Sequence, residues 1–408
     1  MTDFEALRDI EQADVYLGDH PVASLTRDRG DEIVFSYTGP APAPGSAVRN
    51  QWVSWSLPRD AEYPLVTHGG AVPTFFAGLL PEGVRLGIVT ASTKTSADDH
   101  FTLLLAIGAD TVGNVRLLPA GTPAPTLGPM FDPKHNNDFR AVFARLTGSL
   151  AADPVGLSGV QPKVSAAMWS TPARTTSGPA ILKLNPPSGF PRLVENEHFF
   201  MQMAADCGLR TAQTQLLHDA QGRSALLVER FDRRGDLRIA QEDACQVAGV
   251  YPASKYRIHA ETAISALADA CARGSGSRAT ATLELLRIVM FSWLIGNGDL
   301  HGKNVSIYCP DDFWRPTPAY DLLTTQPYTG WRDPMAMRLY GRANRLNREW
   351  FADAAARLGL RSRAVVRMTD DLVDAAQHWP HRCDEIGFTT RQTELLADLL
   401  TSRIDTLK

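Results

Sequence analysis

The sequence predicts an α+β protein with two lobes, because strand-like segments dominate its first half and helix-like segments its second half. Apolar residues occur in short strand-like runs at 13–38, at 180–184 and at 225–231. From about residue 241 they recur instead at helical spacing. We therefore expect the lobes to meet near 229–235 and a small α/β unit to precede them.

The N-terminal α/β unit is predicted to span residues 1–120. After its first strands, 52–57 is a further strand-like run, and 75–88 is typical of a helix followed by a turn. Five prolines lie among glycines and polar residues at 118–138. We therefore interpret 121–150 as a linker and lead-in to the next unit.

The first lobe is predicted at 151–234. Its strands at 164–169 and 180–184 would form a hairpin around a polar loop at 170–179, followed by a helix at 195–207. Residues 235–408 are predicted as the second, all-helical lobe, with helices at 261–272, 281–295, 348–359, 361–379 and 389–407.

Composition and charge exclude several classes of protein. The 408 residues are 44% apolar and 21% charged, with a formal net charge of −4, which is unlike the basic signature of a stand-alone nucleic-acid binder. The absence of an apolar run near 18 residues predicts no membrane span. The five cysteines form no C-x-x-C pair, so we expect reduced thiols and a cytoplasmic location rather than zinc or disulfides.

The segment 296–304, Gly-Asn-Gly-Asp-Leu-His-Gly-Lys-Asn, carries the clearest functional signal. It places an acid, Asp299, five residues before an amide, Asn304, and a second acid follows at Asp321. Transfer of a phosphoryl group from ATP needs a carboxylate that orients a hydroxyl and oxygen ligands that hold Mg²⁺. We therefore predict Asp299 as the catalytic residue and Asn304 and Asp321 as the metal ligands.

Two neighbouring features bear on this site. A hairpin of 305–308 and 316–319 would bring the second acid back beside the amide. Lys303 is predicted to stabilise charge on the transferred group, and His301 to hydrogen-bond within the loop beside the nucleotide. A polar turn without catalysis is the alternative.

Upstream features could supply the ATP half of the site. The glycine turn 156–163 opens a predicted strand, and glycines let backbone N–H groups approach phosphates; an ordinary structural turn is the alternative. Lys183 lies in an apolar strand, where unpaired lysine is unusual, so we expect it at the ATP phosphates, although an edge lysine in water is also possible. The next helix offers Glu195 or Glu197 as its partner, and we favour Glu197.

The lobe junction would hold the adenine. Backbone groups near Glu229 would bind its edge and Phe231 would offer an apolar face, with an ordinary strand end as the alternative. The residues predicted to line the nucleotide site are Ser158, Gly159, Gln161, Lys163, Lys183, Glu229, Phe231 and His301.

Five motifs follow one another along most of the chain. They are Gly-Val-Gln-Pro-Lys at 159–163, Glu-Asn-Glu-His-Phe-Phe at 195–200, Val-Glu-Arg-Phe-Asp-Arg at 228–233, Gln-Glu-Asp-Ala-Cys-Gln at 241–246 and Trp-Leu-Ile-Gly-Asn-Gly-Asp-Leu-His-Gly-Lys-Asn at 293–304. Together they resemble the HipA family of bacterial serine/threonine kinases, which are toxins of HipBA toxin–antitoxin modules. Segments 56–58 and 79–83 resemble the N-terminal subdomain of that family.

The resemblance implies a two-lobed protein-kinase-like fold, a function and partners. Family members phosphorylate protein hydroxyls, notably on aminoacyl-tRNA synthetases such as the glutamyl enzyme, and growth then arrests. A HipB-like helix-turn-helix antitoxin binds the toxin and anchors the pair on operator DNA. The implied cofactors are ATP and Mg²⁺. The implied roles are Lys183 at the ATP phosphates, Glu229 and Phe231 at the adenine hinge, Asp299 in catalysis, and Asn304 and Asp321 at Mg²⁺.

The glycine-rich loop departs from the family pattern at one position. That loop commonly carries two serines in the family, and autophosphorylation there ejects the loop and silences the kinase. Here the first position is Gly156, which cannot accept phosphate, and the second is Ser158. We expect self-inactivation, if retained, to use Ser158, because a phosphate there would repel the phosphates of ATP.

Two other functions stay open. The catalytic loop at 297–304 also resembles that of aminoglycoside and choline phosphotransferases, and a corepressor that binds an antitoxin on DNA is a non-catalytic alternative. The arginines of 338–348 form a basic segment. It is either a solvated face or a contact for an acidic partner or a tRNA-bound substrate.

Overall fold

The N-terminal unit is built on an antiparallel sheet. The computed structural model describes residues 4–28, 30–39, 52–123, 138–141, 168–175, 178–186 and 188–408. The five strands pair in the order β4-β3-β2-β1-β5. They are β1 (Gln12–Leu17), β2 (His20–Arg27), β3 (Ile33–Tyr37), β4 (Leu65–Thr67) and β5 (Val115–Pro119).

Alternating burial places one face of this sheet against helices. Along β1 every second residue is buried, as the period of a pleated strand requires. The helices are α1 (Thr74–Leu79), α2 (Gly83–Thr93) and α3 (His100–Ile107). Phe35 of the sheet, Phe76 of α1 and Phe101 of α3 lie in one buried cluster, which fixes α1 and the loop after it.

The strand predicted at 52–57 is wrong. Only one isolated bridge, between Ser54 and Leu57, forms there. The backbone polar groups are satisfied by side chains instead: the Tyr37 hydroxyl accepts from Val53 N at 2.9 Å and donates to Leu57 O at 2.6 Å. A segment whose hydrogen bonds are made in this way has no need of a partner strand.

The first lobe is a four-stranded sheet in the order β6-β7-β9-β8, packed on one helix. Its strands are β6 (Trp169–Thr175), β7 (Gly178–Leu184), β8 (Thr214–His218) and β9 (Ser224–Glu229). The helix α4 (Leu193–Asp206) packs on β8 and β9. The predicted loop at 170–179 is therefore wrong, because most of it is strand; β6 is an edge strand, where polar residues and Pro172 are tolerated.

The second lobe is mainly helical, but the prediction of an all-helical lobe is wrong, because short strands pair within it. The strands β10 (Arg233–Arg234) and β11 (Leu237–Arg238) form one hairpin, and β12 (Gln241–Asp243), β13 (Ser306–Tyr308) and β14 (Arg315–Pro316) form a three-stranded sheet. The helices are α5 (Ala244–Val247), α6 (Ala260–Arg273), α7 (Arg278–Ile295), α8 (Gln326–Thr329), α9 (Arg348–Arg357), α10 (Ser362–Ala376) and α11 (Thr390–Leu407). Among the residues that the structure describes, no helix has the length and apolar character needed to cross a membrane.

Candidate active site

A cavity of about 390 Å³ opens where the two lobes and the N-terminal unit meet. Lys183 lines it from the first lobe, and Asn304 and Asp321 line it from the second. Residues 78–82, at the end of α1 and directly after it, form a third wall. Residues that lie up to about 240 positions apart in the sequence therefore line the same cavity.

Lys183 is buried in the wall of this cavity and holds two carboxylates. Its Nζ lies 2.7 Å from Glu197 Oε1 and 3.0 Å from Oε2, and it also contacts Asp321 Oδ1. Burial would lower the pKa of Lys183, but the charges of Asp321 and Glu197 outweigh it and raise that pKa. The ammonium is therefore positive, and it lies at the wall of the cavity.

Glu197, rather than Glu195, is the partner of this lysine. The Glu197 side chain is only 1% exposed, and burial raises its pKa against the opposing effect of Lys183. Glu195 instead accepts from Asn185 Nδ2 at 3.0 Å and from Arg192 Nη1 at 3.0 Å. Glu195 therefore stabilises the start of α4, whereas Glu197 pairs with Lys183.

The catalytic loop begins where α7 ends. Gly296 has a φ of 72°, a left-handed conformation that suits glycine at a helix C-terminus. The side chain of Gln326 donates to Gly296 O at 3.1 Å, and Thr325 Oγ1 accepts from Gly298 N at 2.9 Å. These contacts tie the loop to the segment that follows Asp321.

Asp299 is buried within this loop and is held on both sides. Its backbone N–H donates to Asn297 Oδ1 at 2.8 Å. Its carboxylate Oδ1 accepts from the Tyr256 hydroxyl at 2.6 Å. Burial, followed by the charge of Asp299, raises the pKa of Tyr256, so the phenol stays protonated and acts as a donor. The carboxylate is therefore held in a fixed orientation within the loop.

Asn304 and Asp321 offer oxygens of the kind that Mg²⁺ prefers. Asn304 donates through Nδ2 to Asp299 O at 3.4 Å, so its Oδ1 remains an acceptor. Asp321 has a φ of 54°, an uncommon conformation for a residue with a side chain, which is often found at functional sites. Among the described residues, no group of three His, Cys, Asp or Glu forms a cage for a metal. One amide oxygen and one carboxylate are a donor set that suits a magnesium ion completed by phosphate and water ligands.

His301 and Lys303 lie between these residues and have different surroundings. His301 Nδ1 accepts from Lys303 N at 3.3 Å, and its ring packs edge-on against Tyr256. Burial, assisted by Lys255, lowers the pKa of His301 to about 4, so the imidazole is neutral and shapes the loop. Lys303 Nζ instead lies 3.1 Å from Glu82 Oε1.

The predicted hinge residues also line the cavity. Glu229 ends β9 and its side chain is exposed. The Phe231 ring packs against Tyr308 and Tyr320, with centroids 5.9 Å and 5.7 Å away. An apolar surface is thus present at the junction of the lobes.

The motif 241–246 supports the catalytic loop. Asp243 caps α5 by accepting from Gln246 N at 2.8 Å, and Gln246 Oε1 accepts from Asp243 N at 2.9 Å. At the start of α5, Ala244 N donates to Gly302 O and Val305 O, both at 3.0 Å. Burial raises the pKa of Asp243 to about 6, against the lowering effect of Lys303.

Some predicted residues lie outside the described part of the chain, and some site residues were missed. Ser158, Gly159, Gln161 and Lys163 belong to the first group. Tyr256, Lys255 and Glu82 belong to the second. Glu82 lies in the segment 79–83 that contributed to the family resemblance, but no spacing rule marked any of the three as active-site residues.

The predicted basic segment 338–348 is divided in the structure. Arg348 is half-buried, lies 2.6 Å from Asp370 and donates to Leu407 O at 3.1 Å. Arg342 is exposed, and its guanidinium carbon lies 3.8 Å from the centroid of the Trp350 ring. Arg338 and Arg345 are exposed.

The two lobes, with the paired lysine on β7 and the acidic loops opposite, define a protein-kinase-like fold. The structure of the HipA toxin of Shewanella oneidensis MR-1, solved with HipB and its operator DNA, superposes with a TM-score of 0.74 at 22% identity and covers 97% of both chains. The fold class predicted from the sequence is thereby confirmed.

The chain belongs to the HipA family. The family model described as the HipA N-terminal domain matches residues 13–118, and the HipA-like C-terminal domain matches residues 155–379. A protein of Sinorhizobium fredii named "Putative kinase Y4mE" is 32% identical, over 94% of this chain and 95% of its own length. The serine/threonine-protein kinase toxin HipA of Shewanella oneidensis is 26% identical, over 80% of this chain and 78% of its own length. The predicted family is confirmed.

Proposed function

We propose that this protein is a serine/threonine protein kinase that transfers the γ-phosphoryl group of ATP to a protein hydroxyl. The observation that carries the proposal is the convergence of Lys183, Asn304 and Asp321 on one cavity, with Asp299 beside it, where its backbone carbonyl accepts from Asn304 Nδ2. Phosphoryl transfer depends on positioning and charge neutralisation, and these residues offer both. Kinase relatives along nearly the whole chain support the same activity.

Each residue has a proposed role. Lys183, fixed by Glu197, binds the ATP phosphates, and Asp299 orients the acceptor hydroxyl. Lys303 stabilises the charge on the transferred group. The remaining proposed roles are Asn304 and Asp321 as magnesium ligands, and Glu229 and Phe231 at the adenine, with His301, Ser158, Gly159, Gln161 and Lys163 around the phosphates.

The biological role that we propose is growth arrest within a toxin–antitoxin module. The relative from Shewanella oneidensis is named a toxin, and a solved structure shows that organism's HipA with HipB and operator DNA. By this likeness, a HipB-like antitoxin would bind the present chain and make most of the DNA contacts in the cytoplasm. The proposed domains are 1–120, a linker at 121–150, and lobes at 151–234 and 235–408.

The proposed substrate is a serine or threonine of an aminoacyl-tRNA synthetase. Phosphoproteomics of cells that express either the wild-type chain or Asp299→Asn at equal levels tests this. We expect growth arrest and a new phosphosite on a synthetase with the wild-type chain alone. Growth arrest that survives Asp299→Asn would rule out the kinase explanation. Labelled phosphate on an aminoglycoside or on choline, rather than on protein, would favour a small-molecule phosphotransferase.

Self-inactivation is proposed at Ser158. A phosphate at this position would place about two negative charges in a loop that binds ATP phosphates, and would repel them. Mass spectrometry after incubation with ATP and Mg²⁺ should find phosphoserine at 158 together with falling activity. Phosphate at other positions with Ser158 unmodified would contradict the proposal.

A further inference from the structure

Glu82, in the N-terminal unit, reaches the catalytic loop of the second lobe. Its Oε1 lies 3.1 Å from Lys303 Nζ, and its Oε2 contacts Lys255 Nζ. Each carboxylate oxygen therefore holds a different lysine. Glu82 is also the N-cap residue of α2, yet its side chain makes no hydrogen bond to that helix. The carboxylate contacts lysines of the second lobe instead of capping the N-terminus of α2, which is the usual role of an acid at this position.

The helix α1, which ends three residues before Glu82, is fixed against the second lobe. Gln246 Nε2 donates to Phe75 O at 3.0 Å, and the Tyr251 hydroxyl donates to Val72 O at 3.1 Å. Gly78 packs so closely that a Cβ there would lie 2.6 Å from Gln246 Cγ. Glu82 therefore approaches the lysines from a rigid base, and not as the end of a mobile loop.

The electrostatics keep this carboxylate charged. Burial alone would raise the pKa of Glu82, but Lys303 and Lys255 lower it to about 2. Two ammonium groups that contact one carboxylate would repel each other without it. Lys303 has four side-chain torsions, and its side chain is 15% exposed, so Glu82 restricts a group that would otherwise sample many rotamers.

We propose that Glu82 is a positioning residue that holds the Lys303 ammonium where it can stabilise the transferred phosphoryl group. The inference rests on the proposed kinase function and deepens it, because the N-terminal unit then completes the active site. Glu82 is proposed to act through this ammonium rather than by binding the nucleotide or the acceptor. Its effect on the reaction passes through Lys303.

A double-mutant cycle tests this route. The variants are Glu82→Gln, Lys303→Met and the double variant, with Glu11→Gln as the control, since Glu11 is exposed on the same unit. Turnover of [γ-³²P]ATP with Mg²⁺ is counted as label on dephosphorylated casein and as released phosphate. We expect Glu82→Gln to lower kcat between about 10-fold and 100-fold, with the KM for ATP changed by less than about 2-fold. In the Lys303→Met background, Glu82→Gln should have no further effect.

The outcomes separate this inference from the function on which it rests. If Glu82→Gln is as active as the wild-type chain, or if it lowers kcat equally in the Lys303→Met background, Glu82 does not act through Lys303 and the inference is wrong. A wild-type chain that neither labels casein nor releases phosphate would overturn the kinase function itself. If Glu82→Gln lowers the unfolding temperature, the cycle is repeated with Glu82→Asp, which keeps the charge but shortens the side chain. The same changes in kcat, with and without Lys303→Met, then support or contradict the inference.

Discussion

At the scale of single residues, the carboxylate of Asp299 depends on a phenol that lies 43 positions earlier. The Tyr256 hydroxyl donates to Asp299 Oδ1 at 2.6 Å, and the Tyr256 ring packs edge-on against His301. A hydrogen bond to a charged group restricts it more than a neutral one does. Tyr256 therefore orients the carboxylate that is proposed to bind the acceptor hydroxyl.

Replacing Tyr256 with Phe removes this donor and keeps the ring. We expect kcat to fall about 10-fold, which corresponds to the loss of one hydrogen bond to a charged group, while the KM for ATP stays unchanged. Steady-state kinetics measure both. Tyr16→Phe is the matched control, because Tyr16 lies on β1 of the N-terminal unit. An unchanged kcat in Tyr256→Phe would show that Asp299 needs no such support.

Residue chemistry made part of this site predictable from the sequence. Asp299, Asn304 and Asp321 stood out through the spacing and order of acid, amide and acid, and Lys183 because a lysine in an apolar strand is unusual. The choice between Glu195 and Glu197 was harder, since these residues point about 200° apart on a helix and the rotation of α4 depends on packing. Tyr256 and Glu82 gave no signal, because their roles arise only from contacts that are distant in the sequence.

At the scale of elements, the catalytic loop is held by close packing on α5. A Cβ added at Gly302 would lie 2.6 Å from Cys245 Sγ and 2.8 Å from Ile258 Cγ2. Gly302 N also donates to Lys255 O at 3.1 Å. The loop can approach α5 and the following segment this closely only because residue 302 has no side chain.

Gly302→Ala should therefore displace the loop. We expect a loss of roughly 1–3 kcal/mol in the free energy of unfolding, the usual cost of overpacking, and a fall in kcat because Lys303 moves with its neighbour. Denaturant unfolding and steady-state kinetics measure the two effects. Gly87→Ala is the control, since nothing lies within 4 Å of a Cβ placed there. Equal effects in both variants would contradict the packing argument.

Long helices were predicted closely, because several turns of one periodic pattern leave little ambiguity. The helix predicted at 389–407 is α11 (Thr390–Leu407), and the one at 281–295 lies within α7 (Arg278–Ile295). The errors fell on short or polar segments. Backbone pairing with β7 makes most of 170–179 a strand, whereas side-chain hydrogen bonds replace a strand at 52–57.

At the scale of the whole molecule, the N-terminal unit and the second lobe share a buried carboxylate. Glu242 Oε2 accepts from Ser54 Oγ at 2.6 Å, and its Oε1 accepts from Trp55 N at 2.9 Å. Burial raises the pKa of Glu242 from 4.5 to about 8, although these two hydrogen bonds oppose it. Between pH 4.5 and about 8, Glu242 is therefore protonated in the folded protein and ionised in the unfolded chain.

This raised pKa gives the stability a defined pH dependence. Between pH 4.5 and about 8 the unfolded chain binds fewer protons at this group than the folded chain, so stability falls as pH rises through that window. The slope for one group is at most roughly 1.4 kcal/mol per pH unit. We expect Glu242→Gln to remove this contribution, as seen in the difference between urea unfolding curves at several pH values. An unchanged slope would show that Glu242 is already ionised in the folded protein.

The lobes, joined by these contacts, are proposed to form a working phosphoryl-transfer site around Asp299. The most direct measurement is the incorporation of ³²P from [γ-³²P]ATP into protein, with Mg²⁺ present, by the purified wild-type chain and by Asp299→Asn. We expect labelled phosphoserine or phosphothreonine with the wild-type chain and a loss of about 100-fold or more in the variant, because the acceptor hydroxyl is no longer oriented. No labelling by the wild-type chain, or equal labelling by both proteins, would contradict it.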